Sequence, residues 1–417
     1  MTINSNKLSR SLDLKDAVAI GLGAVIGAGI FVVTGVAAGI AGPAFIVSLI
    51  IAGIVASFNA LSSAQLAAVY PQAGGTYEYG YRLLHPLLGF SAGWMFLISK
   101  LAAAGVVAIG FGSYLFQLLP LTSAGFYSIT AIILLVIANY FGIKKAGAIN
   151  LIIISITILS LLYFIINGAS QIQKENFAPF SPFGLNGIAE ASALLFFAFT
   201  GYARIATLAE EVHNPEETIP RAIIITIITA IILYVAVSIV AVGVIGTEAM
   251  ASTTSPLQRV GENISAPGIE FIIVMGASTA MLGVLLSQVL GISRMMLAMS
   301  RRQDLPAFLK VIHQQYNVPH SGILLTGSIV VILVLVGSFQ FILNAAAFSI
   351  LLYYTITNLA ALKQPQHEKL VHSIIPALGL IGCIAMAFSL PIKVIISGFA
   401  ILLLGILLRF LIKWINQ

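Results

Sequence analysis

The sequence predicts an all-α polytopic membrane protein, and three observations carry that prediction. Of 417 residues, 59% are hydrophobic and only 8% are charged, where soluble domains carry roughly 25% charged residues. Apolar runs of the length that crosses a bilayer as a helix, about 20 residues, recur along the whole chain and leave no stretch for a second, soluble domain. Two of those runs are interrupted near their middles, at GAVIGAGIF (23–31) and at Phe199-Thr200-Gly201. The expectation is a single transmembrane domain over 1–417.

Divided at its polar, proline and glycine clusters, the chain yields twelve spans. The first, 14–40, follows the polar MTINSNKLSRSLDLKD and is too long and too glycine-rich for a cleaved signal peptide, so it is expected to be retained. Span 44–69 begins at Gly42-Pro43, 87–118 at His85-Pro86, 124–142 beyond Pro120, and 146–167 after GIKKAG. Span 187–209 follows SPFG, 219–246 follows HNPEETIP, and 268–300 opens at Pro267-Gly268. The last four, 321–337, 339–362, 372–389 and 392–413, are divided by Ser338, by the KQPQHEK loop and by Pro391. Because Ser338 alone divides two of them, eleven spans is the alternative count.

Basic residues collect on the cytoplasmic side of short loops. With twelve spans, Lys7, Arg10, Lys15, Arg82, Lys144, Lys145, Arg221, Arg301, Arg302, Lys310, Lys363, Lys369, Arg409 and Lys413 fall on one side, and Lys174, Arg259 and Lys393 on the other. Both termini are then cytoplasmic. Eleven spans would carry Lys363 and Lys369 outside, a second argument for twelve. The net charge of +6 follows from this asymmetry and requires no nucleic-acid partner. The lone cysteine, Cys383, excludes an intramolecular disulfide and a thiolate metal cluster and reads as a small packing residue. No HExxH, GxxxxGKS or GxSxG pattern occurs, so zinc-protease, P-loop and serine-hydrolase chemistry lack a basis, and no cofactor or metal is expected.

The two interruptions stand five spans apart, at matching positions in two five-span halves. Such a pair points to an inverted-repeat transporter holding its substrate at the breaks; the plainer reading is that Gly27, Gly29 and Gly201 let helices pack closely. A broken helix exposes amide donors at one end and carbonyl acceptors at the other. If the first span unwinds at Gly27 to Gly29, the amides of Ala28, Gly29 and Ile30, just past Ile26, can bind a carboxylate. The carbonyls around Val25, and those of Phe197 to Thr200 before Gly201, can accept from an ammonium. Those polarities match a zwitterionic amino acid, with Phe197 and Phe199 as rings able to cover it.

Five segments, in this order, resemble prokaryotic members of the amino acid, polyamine and organocation transporter superfamily. They are IGAGIF, YPQAGGTYEYGYRLLHPLLGFSAGW, GIKKAG, FFAFTGYARIATLAEEVHNPEETIPRAI and SRMMLAMSRRQDLP. The resemblance, over nearly the whole chain, implies a five-plus-five inverted-repeat fold with discontinuous helices in spans one and six, the repeats being about 14–167 and 187–362. Two further helices occupy about 372–413. It implies alternating access in a bacterial cytoplasmic membrane, with Ala28 and Gly29 as carboxylate-binding residues. Val25, Phe197 and Thr200 are then the amine-binding carbonyls, and Phe197 the gate.

The chain departs from the family at its coupling sites. Thr157 stands where many proton-coupled members have a lysine, and the span-eight hydroxyl pair of sodium-coupled relatives falls on Leu282 and Gly283, a turn beyond Ser278 and Thr279. Lys100, about ten residues into span three and hence near the midplane, has no acidic residue at its depth, since Glu190 and Glu270 lie near outer span ends. It is the candidate for exchanging a coupling proton or acting as a fixed cation, against the plainer reading of a snorkelling lysine. Arg204, followed by Glu210 and Glu211, and Arg294 read as cytoplasmic-side anchors, and His213 as a loop residue. The leading expectation is secondary amino acid transport. The alternatives are a channel-like facilitator, an intramembrane enzyme, for which no polar catalytic cluster is visible, and a transporter-like receptor.

Overall fold

The computed structural model describes residues 12–70, 74–141, 146–206 and 212–415. Lys7, Arg10, Lys144, Lys145, Glu210, Glu211 and the side chain of Arg204 lie outside the described residues. Among those described, all regular structure is helical apart from one bridge between Leu12 and Val212.

The first helix, α1 (Leu14–Val25), begins where the sequence supplies a reciprocal cap: Asp13 accepts from the Asp16 amide at 2.9 Å and Asp16 from the Asp13 amide at 3.0 Å. A π-helical turn (Gly29–Val33) and α2 (Thr34–Ala41) continue it, then Gly42 at φ +61° turns the chain into α3 (Phe45–Val69). A short helix, α4 (Thr76–Leu83), connects α3 to α5 (Pro86–Leu118). There follow α6 (Ala124–Phe141), α7 (Ala146–Gly168), and α8 (Gly184–Phe196), which tightens into a 3-10 segment (Phe197–Tyr202) before α9 (Ala203–Ala206). Next come α10 (Pro215–Ala251), interrupted at Gly246, then α11 (Pro256–Gly261) and α12 (Ile269–Arg301). The chain closes with α13 (His320–Val336), α14 (Phe339–Lys363), α15 (Ile374–Ser389) and α16 (Ile392–Ile415).

Among the described residues, nine helical segments are long and apolar enough to cross a membrane, with Leu14–Val69 taken as one; α13 and α15 are shorter apolar helices. Their lipid-facing residues remain exposed, as at Leu134, Ile166, Ile232 and Leu335. Separate helices flank Ser338, whose hydroxyl accepts from the Phe341 amide and starts α14. The sequence reading did not anticipate α4 or α11, because both sit in stretches that read as loops.

The helices sort by contact into two groups. One consists of α1, α2, α3, α8 and α10, packed on one another around the breaks; the other consists of α5, α6, α12, α13 and α14. The connector α4 rests on α5 and α14, while α16 packs on α5 and α14.

Candidate functional site

The first break falls at Ile26 and Gly27, not over Gly27 to Gly29. Val25 is the last residue of α1, Ile26 is extended at φ −78°, ψ 106°, and the helical path resumes at Ala28. Gly29 is helical, as the first residue of the π turn. A π turn closes on the fifth residue, which offsets the backbone ladder. The Phe31 carbonyl accepts from Tyr114 Oη at 2.6 Å and the Ile30 carbonyl from Thr34 Oγ1 at 2.8 Å.

The second interruption differs in kind. Phe197 to Tyr202 remain helical but tighten to 3-10 winding, beginning two residues before Phe199. The only glycine of the segment, Gly201, comes near its end, so nothing earlier relieves the backbone of helical dihedrals. Thr200 Oγ1 donates to the Phe197 carbonyl at 3.0 Å.

Glycine brings the two interruptions together. A Cβ on Gly201 would stand 2.0 Å from the Ala24 carbonyl oxygen and 2.5 Å from the Val25 nitrogen. One on Gly29 would stand 2.3 Å from Ala198 Cβ and 2.5 Å from its Cα, and one on Gly27 would meet Val284 of α12 at 2.8 Å. Backbone atoms cannot yield as a side chain does, so both crossings require glycine. Close packing thus accounts for Gly29 and Gly201, which stay helical, and of the three glycines only Gly27 lies in a break.

Where the two interruptions meet, carbonyls converge. Tyr234 of α10 donates its hydroxyl to the Val25 carbonyl at 3.0 Å and lies 3.4 Å from the Ala198 carbonyl, with its ring 5.4 Å from that of Phe199. Val25, Ile26, Gly27, Ala28, Gly29, Ile30, Phe197, Phe199 and Thr200 are all buried, and Gly201 is half-buried. Phe199 fits against Gly53 and Tyr234 as a packing ring. Sequence reasoning missed Tyr234; its one signal was a phenol in the middle of an otherwise apolar span, where a buried hydroxyl needs a partner.

Among the described residues Lys100 makes no hydrogen bond or ion pair with the residues of the breaks. It lies on α5, and its ammonium sits over the ring of Phe96 of the same helix, 5.8 Å from the centroid. Thr157 is satisfied by the Ile153 carbonyl at 2.8 Å and reaches the Gly276 carbonyl of α12 at 3.4 Å. Ser278 is buried without a hydrogen-bond partner among the described residues, and Thr279 bonds the Met275 carbonyl of its own helix.

A family model described as amino acid permease matches residues 16–413. Among individual proteins, an uncharacterised transporter of Mycobacterium tuberculosis is 36% identical over 96% of this chain and 91% of its own length. A branched-chain amino acid permease of Bacillus subtilis is 30% identical over 98% of this chain and 94% of its own. A methylthioribose transporter of the same organism is 35% identical over 78% of this chain and 74% of its own.

Proposed function

Taking as premise that the chain belongs to the amino acid permease family, we propose that it is a secondary transporter that moves an α-amino acid across a bacterial cytoplasmic membrane by alternating access. Membership of a permease family points to transport and away from an enzyme. The finer architecture that fits this reading is the five-plus-five inverted repeat of twelve spans, with both termini cytoplasmic. The observation that carries the proposal is the convergence of the Val25 and Ala198 carbonyls, from two interrupted helices, on the single hydroxyl of Tyr234.

That hydroxyl occupies the place of an ammonium donor. A substrate amine arriving there offers three donors and a full charge in exchange for one neutral hydrogen bond. The amides of Ala28, Gly29 and Ile30, at the start of the resumed helix, are the carboxylate partners. Recognition is then confined to the head group and to backbone, and the side chain is selected by neighbouring helices. Lys100 is proposed as the residue that exchanges a coupling proton, acting from α5 without touching substrate.

Counterflow in proteoliposomes, run across the twenty amino acids and their amide and N-acetyl derivatives, tests the proposal. A channel-like facilitator would show neither saturation nor counterflow. Each lost charge-assisted hydrogen bond should weaken competition by about tenfold or more. The methylthioribose relative supports one second reading, a neutral sugar substrate. Exchange of methylthioribose without exchange of any amino acid would establish it and overturn the head-group assignment.

A further inference from the structure

The sequence motif YEYGYR becomes α4, and the motif SRRQDLP becomes the turn after α12. They meet the last helix around one carboxylate, that of Asp304, whose side chain is fully buried. Tyr77 Oη donates to Asp304 Oδ2 at 2.7 Å, and Tyr81 Oη donates to the same oxygen. On the other side Arg409 Nε of α16 donates to Oδ1 at 2.8 Å, and Lys413 Nζ lies 3.5 Å away. Arg409 also donates to Tyr81 Oη at 3.0 Å, and its guanidinium lies over the Phe90 ring of α5. Arg302 covers the cluster from the outside, stacked on Tyr81 at 4.6 Å and paired with Glu78.

Two further contacts seat α16 on the same base. Trp94 Nε1 of α5 donates to the Ile401 carbonyl at 2.9 Å, and the indole lies so close that a Cβ on Gly405 would meet it at 2.4 Å. A fully buried carboxylate is costly unless it is paired and hydrogen-bonded on all sides. Here two separate chain segments, α4 and α16, supply the partners, and α16 supplies both cations that contact the carboxylate directly.

The cluster lies within the α5 group, just after the chain crosses over from the other group. Through α4, the chain passes from α3, which packs on α8 and α10, to α5, which packs on α12 and α14. Bolted to the turn after α12 and to α16, α4 belongs to the α5 group. Any pivot between the groups then lies on the α3 side of α4, where Gly74 and Gly75 adopt φ +127° and +52°.

We infer that Asp304 and Arg409 form a lock that makes α16 part of the fixed base on which the interrupted helices move, so that turnover of transport, and not substrate binding, depends on it. This rests on the transporter reading above. Asp304 and Arg409 are positioning residues, since neither approaches the breaks.

Full-length protein carrying Arg409→Gln, Arg409→Lys or Tyr81→Phe, reconstituted at equal folded amounts, tests the lock with labelled L-leucine and L-arginine counterflow as probes. Hydrogen exchange of residues 74–83, 302–310 and 392–415 is read in parallel. For Arg409→Gln the expected result is about a tenfold fall in exchange rate, little change in binding affinity, and faster hydrogen exchange in α4 as well as α16. Arg409→Lys, which keeps the charge but loses the planar fork, recovers part of the rate. If Arg409→Gln does not fold, the Lys and Phe variants carry the test through the same two readouts. Wild-type turnover and wild-type α4 protection in the folded variants would overturn the lock. A wild-type protein that exchanges no amino acid would instead defeat the transporter reading, and the hydrogen-exchange arm alone would then decide whether α16 holds α4.

Discussion

The breaks and the Asp304 cluster are both buried and both join helices distant in sequence, but they are held by opposite means. At the breaks the contacts are glycine against backbone, with neutral hydrogen bonds from Tyr234, Tyr114 and Thr200. Around Asp304 a charged oxygen pair takes two phenols and an arginine, with a lysine close by. Removing one partner of a buried neutral hydrogen bond costs about 1 to 3 kcal/mol, whereas removing one partner of a buried ion pair costs about 3 to 5 kcal/mol. On the transporter reading proposed above, the difference would separate the part of the molecule expected to rearrange with ligand from the part expected to stay fixed.

The strongest way to break the comparison is to strip the fixed end of its charge. Arg409→Ala leaves the Asp304 carboxylate buried and without its closest cation, and should lower unfolding stability by about 3 to 5 kcal/mol, read as a fall in Tm in detergent. Gly201→Ala comes next. Its methyl would press on the Ala24 carbonyl, forcing the interrupted helices apart at about 1 to 3 kcal/mol and abolishing exchange. Gly291→Ala, on an exposed helix position with nothing within 4 Å, should leave both stability and exchange intact.

Tyr234→Phe sharpens the comparison without unfolding anything. With the phenol gone, the Val25 carbonyl lacks its partner in the empty protein, and an arriving ammonium regains that hydrogen bond. Amino acid affinity should therefore rise by about tenfold, measured by isothermal titration, while analogues lacking the amine gain nothing. Unchanged or weaker binding would contradict the assignment of that carbonyl. Lys100→Met should remove the pH dependence of transport while sparing exchange; normal transport with unchanged pH dependence would reduce the lysine to a tolerated side chain.

The smallest effect is the pH response of the lock. Burial first, then the hydrogen bond to Asp304 and its charge, pushes the Tyr81 hydroxyl up to about 12, against the opposing influence of Arg409; Tyr77 is raised by burial and by Asp304, and Arg302 and Arg409 face the same rings. A folded-state value above the unfolded one, about 10, means that the contribution is complete below pH 10 and is lost as pH rises toward 12. Tyrosinate absorbance should show this late step in the wild type and lose it in Tyr81→Phe.

Much of this was legible in the sequence, and the failures have physical causes. Apolar runs and the glycines at 27, 29 and 201 located the interrupted helices because hydropathy and glycine freedom act locally. Their form was not legible: the first opens at Ile26, the second only tightens, and which of the two a helix does depends on the tertiary partners of its carbonyls. Tyr234 was invisible as a site residue, since its role exists only where α10 crosses two carbonyls. Asp304 was hidden in SRRQDLP, where an acid next to two arginines reads as a solvated turn; its partner Arg409 lies 105 residues away in an apolar span.

Hydrogen exchange with and without the amino acid that counterflow identifies is the most direct test of the central claim. Ligand should slow exchange at 22–34 and 195–203, where the interrupted helices would hold it, and leave 74–83 and 302–310 unchanged around the Asp304 lock. Protection that appears at α4 and the turn after α12, with none at the breaks, would contradict both the site and the division of the molecule into moving and fixed parts.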